Sequence, residues 1–447
     1  MIVIGAGLVI LAIIISFAFW NTGKESTLQP SIPAKSNNSS KGETQVQSMP
    51  EHQPLLLPKV RDSSLRIELV ADGLSFPTSM AFVDRHTILA LQKDGGKVIM
   101  ISNTNGTVQK EPLLQIKVEN DSEQGLLGIA VANGTGNTKN VFLYYTANDH
   151  GQIRNKVYSY FWTGKSLIDR KLILDLPGTP GPNHNGGKMV VGSDGYLYAV
   201  IGNLNRKGML QNFKDGPPPD DTSVIFRINP ENGSAAKGNP FLSSFLSTND
   251  NNRTDERLSR YFAYGIRNSF GLAIDPITDN LWDTENGADY YDEINLVRPG
   301  FNSGWQQVMG PVSRDNETTH DFVTLQNSSY ADPVFSWKNA VAPTAIQFLN
   351  SKMLGVKYAD NIFVGDFLNG NLYFFEVNAT RTGFKMSSAG TNATTGLADR
   401  IVDNRDELSA ITFGTGFQGG ITDIQTGPDG YLYVLTYGGS IYRIVAR

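Results

Sequence analysis

Cysteine is absent from this chain of 447 residues, which rules out disulfides, thiolate catalysis and cysteine-ligated metals together. Histidine is scarce, with five residues at positions 52, 86, 150, 184 and 320, so any imidazole chemistry has few candidates. No basic stripe is present and the formal net charge is a mild −5, which argues against nucleic acid as a partner. Long amphipathic helical patterns are missing too. What is plentiful is glycine (45) and proline (21), together with Asn, Asp, Thr and aromatics, the composition of many short strands joined by turns. A 40% hydrophobic content in a chain of this length is enough to bury a large core.

The one long apolar run is at the start. "MIVIGAGLVILAIIISFAFW", residues 1–20, carries no charged side chain and is long enough to cross about 30 Å of hydrocarbon as a helix. A cleaved signal peptide is the alternative, but a basic leading region and a small-residue cleavage site before Asn21 are both lacking, so the run reads as an uncleaved membrane anchor. Residues 21–62, rich in Ser, Asn, Gln and Pro, read as a flexible linker. Eleven Asn-x-Ser/Thr sequons, at Asn37, Asn38, Asn105, Asn120, Asn133, Asn232, Asn252, Asn316, Asn327, Asn378 and Asn392, lean towards an exported, glycosylatable domain over 63–447.

That domain repeats weakly. An apolar strand, a Gly/Asp/Asn turn and an aromatic strand recur at 79–101, 126–146, 189–203, 272–297, 358–377 and 424–445, and the third and sixth copies share "DGYLY". Six such copies predict an all-β fold, a six-bladed β-propeller whose radial repetition hides its sheet edges. The stretch 204–258, with "KDGPPPDD" and "STNDNNRTDE", reads as the largest loop insertion. Two stacked sheets are the alternative architecture.

Polar residues interrupt the strands at four places: Glu123-Gln124 before "GLLGIAV", His184 in "GPNHNGGK", Arg267-Asn268 in "YGIRNSFGLAID", and the acidic run Glu285 to Glu293 in "ENGADYYDE". Each adjoins a different repeat, so a radial array can gather them at the mouth of a central channel. His184 stands between asparagines, before a Gly-Gly pair and a strand, as expected of a loop side chain held by rigid elements. The acidic run, with a glycine inside it, offers the hard oxygens that suit Ca²⁺. Taken singly, each feature also has a plain reading as a turn cap, a hydrogen-bonded loop histidine, an ion pair or a solvated acidic loop.

"EQGLLGIAV", "HNGGKMVVGSDGYLYAVIGN", "YGIRNSFGLAID", "ENGADYYDEINLVRPGFNSGW" and "GPDGYLYVLTYGGSIYRI" together resemble the glucose/sorbosone dehydrogenase family, soluble-type aldose sugar dehydrogenases dependent on pyrroloquinoline quinone (PQQ). The resemblance covers about residues 65–445 and implies a six-bladed propeller. It implies His184 as general base, Arg267 on the quinone side, and Gln124 and Asn268 as polar contacts to cofactor or substrate. Gly287 and Ala288 fall where backbone carbonyls hold a calcium that bridges to PQQ, and Glu293 falls at a second, structural calcium site.

Four positions depart from the family pattern. Leu368, Gly420 and Thr422 stand where a lysine and two arginines are common, and Asn183 replaces a common acidic residue beside the histidine. The expected function is oxidation of an aldose or related alcohol by hydride transfer to PQQ with calcium. Electrons would leave to a quinone or a small redox protein outside the cytoplasm. A cofactor-free surface propeller binding glycans or a protein, and a calcium-dependent lactonase-like hydrolase, are the rival readings.

Overall fold

The structure, a computed structural model, describes residues 57–109, 111–134, 138–242, 253–314, 319–386 and 397–447. The described strands fall into six sheets, each antiparallel through its main strands. From inside out, the first sheet runs Pro77–Asp84, Thr87–Gln92, Lys97–Ser102 and Leu114–Gln115, and the second Leu126–Asn133, Lys139–Asp149, Gln152–Trp162 and Leu167–Pro177. The third runs Met189–Val191, Leu197–Ile201, Val224–Ile228 and Tyr261–Tyr264, and the fourth Ser269–Ile274, Leu281–Glu285, Tyr290–Val297 and Phe335–Asn339; both gain short parallel strands at the outer edge. The fifth runs Pro343–Phe348, Ile362–Asp366, Leu372–Phe375 and Thr412–Thr415.

The sixth sheet closes the ring. Its inner three strands, Ile421–Thr426, Leu432–Thr436 and Ile441–Ala446, come from the C-terminus, and its outermost strand, Leu65–Ala71, comes from the other end of the domain. The innermost strands touch in chain order, and the last touches the first. The fold is an all-β propeller.

Strand alternation explains the packing. Successive side chains point to opposite faces, and here each face of a sheet meets a neighbouring sheet, so both sets are apolar. In Lys139–Asp149, Val141, Leu143 and Tyr145 pack with Leu89, Leu91 and Val98 of the first sheet, whereas Phe142 and Tyr144 pack with Met189 and Leu197 of the third. Six apolar clusters fill the six wedges between neighbouring sheets in this way. Trp282 and Trp337, both fully buried, share the wedge between the fourth and fifth sheets.

Two expectations change, and a third falls outside the described residues. The linker does not extend to residue 62, because Lys59–Val60 pairs with Thr415 and Gly414 at the edge of the fifth sheet and Asp62 accepts hydrogen bonds from Ser64 and Tyr358. The stretch 204–258 is not one insertion, since "VIFRI", Val224–Ile228, is the third strand of its sheet. The expected anchor over residues 1–20 lies outside the described residues, and no helix among the described residues is long and apolar enough to cross a membrane.

Candidate active site

Register places the site. In four sheets the start of the innermost strand lies beside the end of the second strand, as Pro77 pairs with Gln92, Ser269 with Glu285, Pro343 with Asp366 and Ile421 with Thr436. Strand entries and second-strand turns therefore gather at one end of the ring. Gln124, His184 and Arg267-Asn268 all sit just before innermost strands, and Asn286-Gly287-Ala288 form the turn after a second strand.

Glu123 ties these loops together. Its Oε2 accepts the backbone N–H of His184 at 2.7 Å and the Asn268 Nδ2 at 3.0 Å, so one carboxylate joins three sheets. The Asn268 Oδ1 accepts Gly186 N, and Gln124 is buried with its side-chain amide beside the Gly181 backbone. The two glycines after the histidine are needed sterically. Gly186 and Gly187 have φ of +62° and +108°, and a Cβ on Gly187 would lie 2.7 Å from Leu127 Cβ.

His184 itself is buried and adopts φ +62°, a left-handed conformation held by the Glu123 contact. Its Nδ1 lies 2.5 Å from Asn203 Oδ1. An amide oxygen only accepts, so Nδ1 carries the hydrogen and Nε2 keeps a free lone pair. Burial, with the Arg267 charge nearby, holds the imidazole pKa down to about 3, well below its ordinary value. The ring is therefore neutral near neutral pH, with its Nε2 lone pair free to accept a proton. Asn203 in turn donates its backbone N–H to Arg267 O, linking the histidine support to the arginine.

Arg267 is buried, and burial lowers its pKa despite carboxylates around it. Its Nη1 donates to Asn286 O at 2.9 Å, its guanidinium lies 5.2 Å from the Trp305 ring centre, and its backbone N–H donates to Glu285 Oε1. Three buried polar atoms here have no partner: Arg267 Nε, Asn286 Oδ1 and Trp305 Nε1. Buried polar atoms are normally paired, so two donors and one hard oxygen left over in one place are what a site awaiting a ligand provides.

The acidic run is not a carboxylate cage. Asp292 accepts the backbone N–H groups of Gly287, Val341 and Ala342, which fixes the turn. Glu285 accepts Ser303 Oγ and Arg267 N, and burial lifts its pKa to about 7. Glu293 accepts Gly310 N at 2.5 Å and Asn295 Nδ2 at 3.2 Å, facing inward beside Glu285 and Asp283. Burial and mutual repulsion raise Asp283 and Glu293 well above the carboxylate range. Among the described residues no group of three or more His, Asp or Glu is placed to hold a metal ion. What the turn itself offers is the carbonyls of Gly287 and exposed Ala288, together with the free Asn286 Oδ1.

The opposite half of the mouth, from the fifth, sixth and first sheets, exposes apolar side chains, with one ion pair, Lys93–Asp94 at 2.7 Å, in the turn of the first sheet. Phe76 and Leu368 are 41% and 43% exposed, and the Tyr437 ring lies 5.1 Å from Phe76 and 5.4 Å from Phe367. Thr422 Oγ1 donates to Pro77 O, and Gly420 has φ +87°. Sequence reasoning places Glu123 and Asn286 among the polar interruptions without giving either a role, and misses Asn203 and Trp305. The "GN" after "YLYAVI" and the Asn after "DTE" are the available signals, each ending a second strand as the turn begins.

Residues 74–443 match the family model described as Glucose / Sorbosone dehydrogenase, so the chain belongs to that family of sugar oxidoreductases. Among relatives, the aldose sugar dehydrogenase YliI of Escherichia coli K12 is 25% identical over 380 residues, covering 84% of this chain and 90% of that one. Among solved structures, the soluble aldose sugar dehydrogenase of Escherichia coli in its apo form superposes with a TM-score of 0.64 at 24% identity, covering 86% of this chain and 100% of that one. The PQQ-bound aldose sugar dehydrogenase of Streptomyces coelicolor gives a TM-score of 0.61 at 22% identity, covering 88% and 100%.

Proposed function

We propose that the chain is a PQQ-dependent dehydrogenase built on a six-bladed propeller, oxidising an aldose or related alcohol with His184 as general base. The observation that carries the reading is the His184–Asn203 contact, which fixes the tautomer and leaves Nε2 as the acceptor. The residues at the mouth fit a planar anionic cofactor on one side. Arg267 Nε and Trp305 Nε1 are unpartnered donors, and Asn286 Oδ1 with the carbonyls of Gly287 and Ala288 supplies hard oxygens for a Ca²⁺ beside it. PQQ, when bound, supplies a two-electron acceptor for hydride from the carbinol carbon.

The protein's share is positioning and charge. Nε2 of His184 takes the hydroxyl proton of the sugar. Glu123 holds the backbone of that loop, and Asn203 holds the ring. Arg267 presents its free N–H to negative charge developing beside it, in a site where low polarity strengthens the interaction. Gln124 and Asn268 orient hydroxyls of substrate or cofactor. Glu293 faces a second buried cluster and would serve a structural cation there. The reaction needs an external electron acceptor, a quinone or small redox protein. Anchoring through residues 1–20, with the domain outside the cytoplasm, rests on the uncharged run and the sequons.

Leu368, Gly420 and Thr422 put no cation on the fifth- and sixth-sheet side of the mouth, and Lys93 in the first sheet is paired with Asp94, which favours the second reading, a cofactor-free ligand-binding propeller. Reconstitution with PQQ and Ca²⁺ followed by dye-linked oxidation over a sugar panel separates the two. Turnover that falls in His184→Ala supports the enzyme, and inertness at saturating PQQ and calcium supports the second reading.

A further inference from the structure

The second sheet has a feature unrelated to the mouth. Its outer strands are long, Lys139–Asp149, Gln152–Trp162 and Leu167–Pro177 each having 11 residues, and they project past the short outer strand of the first sheet, Leu114–Gln115. Between them lies a groove of about 540 Å³ that shares no lining residue with the mouth.

Its centre is Arg170. The guanidinium lies 3.8 Å from the Tyr158 ring centre, and Nη2 donates to the Tyr145 hydroxyl at 2.7 Å. Tyr145 and Tyr158 are themselves stacked, 5.7 Å apart and 10° from parallel. The fork is thus held in one orientation by two rings. Among the described residues no carboxylate lies within ion-pairing distance of it, and its nearest polar neighbours are neutral tyrosines. By contrast, nearby Lys156 is paired with Asp149 at 2.7 Å and Asp175 at 3.4 Å. Lys117, also in the lining, makes no ion pair among the described residues. A pre-oriented guanidinium without a carboxylate partner is suited to capture of a carboxylate, because its fork matches the two oxygens and little side-chain freedom is left to lose.

The rest of the lining specifies more than an anion. Half-buried Tyr158 offers ring surface and a hydroxyl, buried Tyr145 and Tyr160 form the floor behind it, and Asp149 and Asp169 offer acceptors on either side. Alternating donors, acceptors and aromatic faces match a polyhydroxylated ring rather than a bare ion. We infer that this groove binds a carboxylated saccharide, a uronate, with its carboxylate on Arg170 and its hydroxyls on Tyr158 and the flanking aspartates. Such a site would hold the protein on, or respond to, an acidic glycan while leaving the mouth free.

The test is calorimetric titration of the full-length chain with galacturonate, trigalacturonate, galactose and inorganic phosphate. Galacturonate should bind saturably, with galactose and phosphate at least about tenfold weaker, the scale of a charge-assisted hydrogen-bond pair. Trigalacturonate binding more tightly than the monomer identifies a polymer as the source, and equal affinity identifies the free sugar acid. Arg170→Gln should weaken galacturonate binding about tenfold or more without altering melting temperature or any sugar oxidation at the mouth. Lys117→Gln, a surface change that puts the fold at little risk, should weaken it several-fold. Absence of saturable uronate binding, equal affinity for galactose or phosphate, or unchanged affinity in both variants would overturn the inference.

Discussion

Asn203 holds His184 by a single contact, and changing its charge should move the base predictably. Asn203→Asp places a carboxylate where Oδ1 now lies 2.5 Å from His184 Nδ1. An opposite charge at that range favours the imidazolium by about 1–3 pKa units, or about 1.4–4 kcal/mol. The pKa of His184, held down to about 3 by burial and Arg267, should therefore climb towards the ordinary histidine range. Two consequences have opposite signs. The wild-type ring resists protonation when folded and accepts it when unfolded, so its stabilising contribution is full above pH 6.5 and is lost as pH falls towards 3, by about 5 kcal/mol in all. In the Asn203→Asp variant that acid loss should shrink, while the base becomes protonated at mildly acidic pH. The assay is proton NMR of the imidazole resonances, tractable because the chain has only five histidines, with His184→Ala giving the assignment. A wild-type His184 that titrates near 6.5, or an unmoved titration in the Asn203→Asp variant, would refute the electrostatic reasoning.

Removal of Arg267 by Arg267→Ala should weaken PQQ binding and lower turnover together, read by cofactor titration and dye reduction, since its free Nε–H is lost from the mouth. Leu368→Lys should tighten PQQ binding several-fold and make it more sensitive to salt, because this half-exposed position would then offer a cation in screened surroundings. The Lys188–Asp423 pair, 2.6 Å apart and buried between the third and sixth sheets, should show the asymmetry of buried ions. Lys188→Met should cost about 3–5 kcal/mol in urea unfolding, and the Lys188→Met, Asp423→Leu double variant should recover part of it. Asp283→Asn removes a buried carboxylate whose oxygens have no partner, beside Glu285 and Glu293. Without metal it should raise the melting temperature at pH 8, and if a cation occupies the cluster it should reduce the stabilisation that added calcium gives. Protease added to intact cells should release the domain if residues 1–20 anchor it outside, and a fully protected chain would place it inside.

The repeats revealed the propeller because each copy carries at least two inner strands, whose burial on both faces makes continuous apolar runs such as "YLYAVI" and "YLYVLT". Outer strands were harder to read. Val224–Ile228 is five residues between "PPPDD" and a Gly-containing turn, and Lys59–Val60 owes its strand state to Thr415 and Gly414, more than 350 residues away. Site residues at strand entries were legible because a polar side chain before an apolar run stands out. Asn203 was not, and neither was the role of Glu123, since each acts by accepting a hydrogen bond from an element distant in sequence, and an Asn or Glu in a turn has many other reasons to be there. The carboxylates of "ENGADYYDE" misled in the opposite sense: their spacing suggested one cage, but strand alternation sends Glu285 and Glu293 inward while Asp292 binds backbone amides.

The most direct test of the account is the rate at which bound PQQ is reduced in a single turnover after aldose is mixed with calcium-loaded protein. The account predicts a saturable reduction in the wild type that slows by about 10²–10⁴-fold in His184→Ala, with cofactor affinity and melting temperature unchanged. Equal rates in the two proteins would contradict the assignment of His184 as the base.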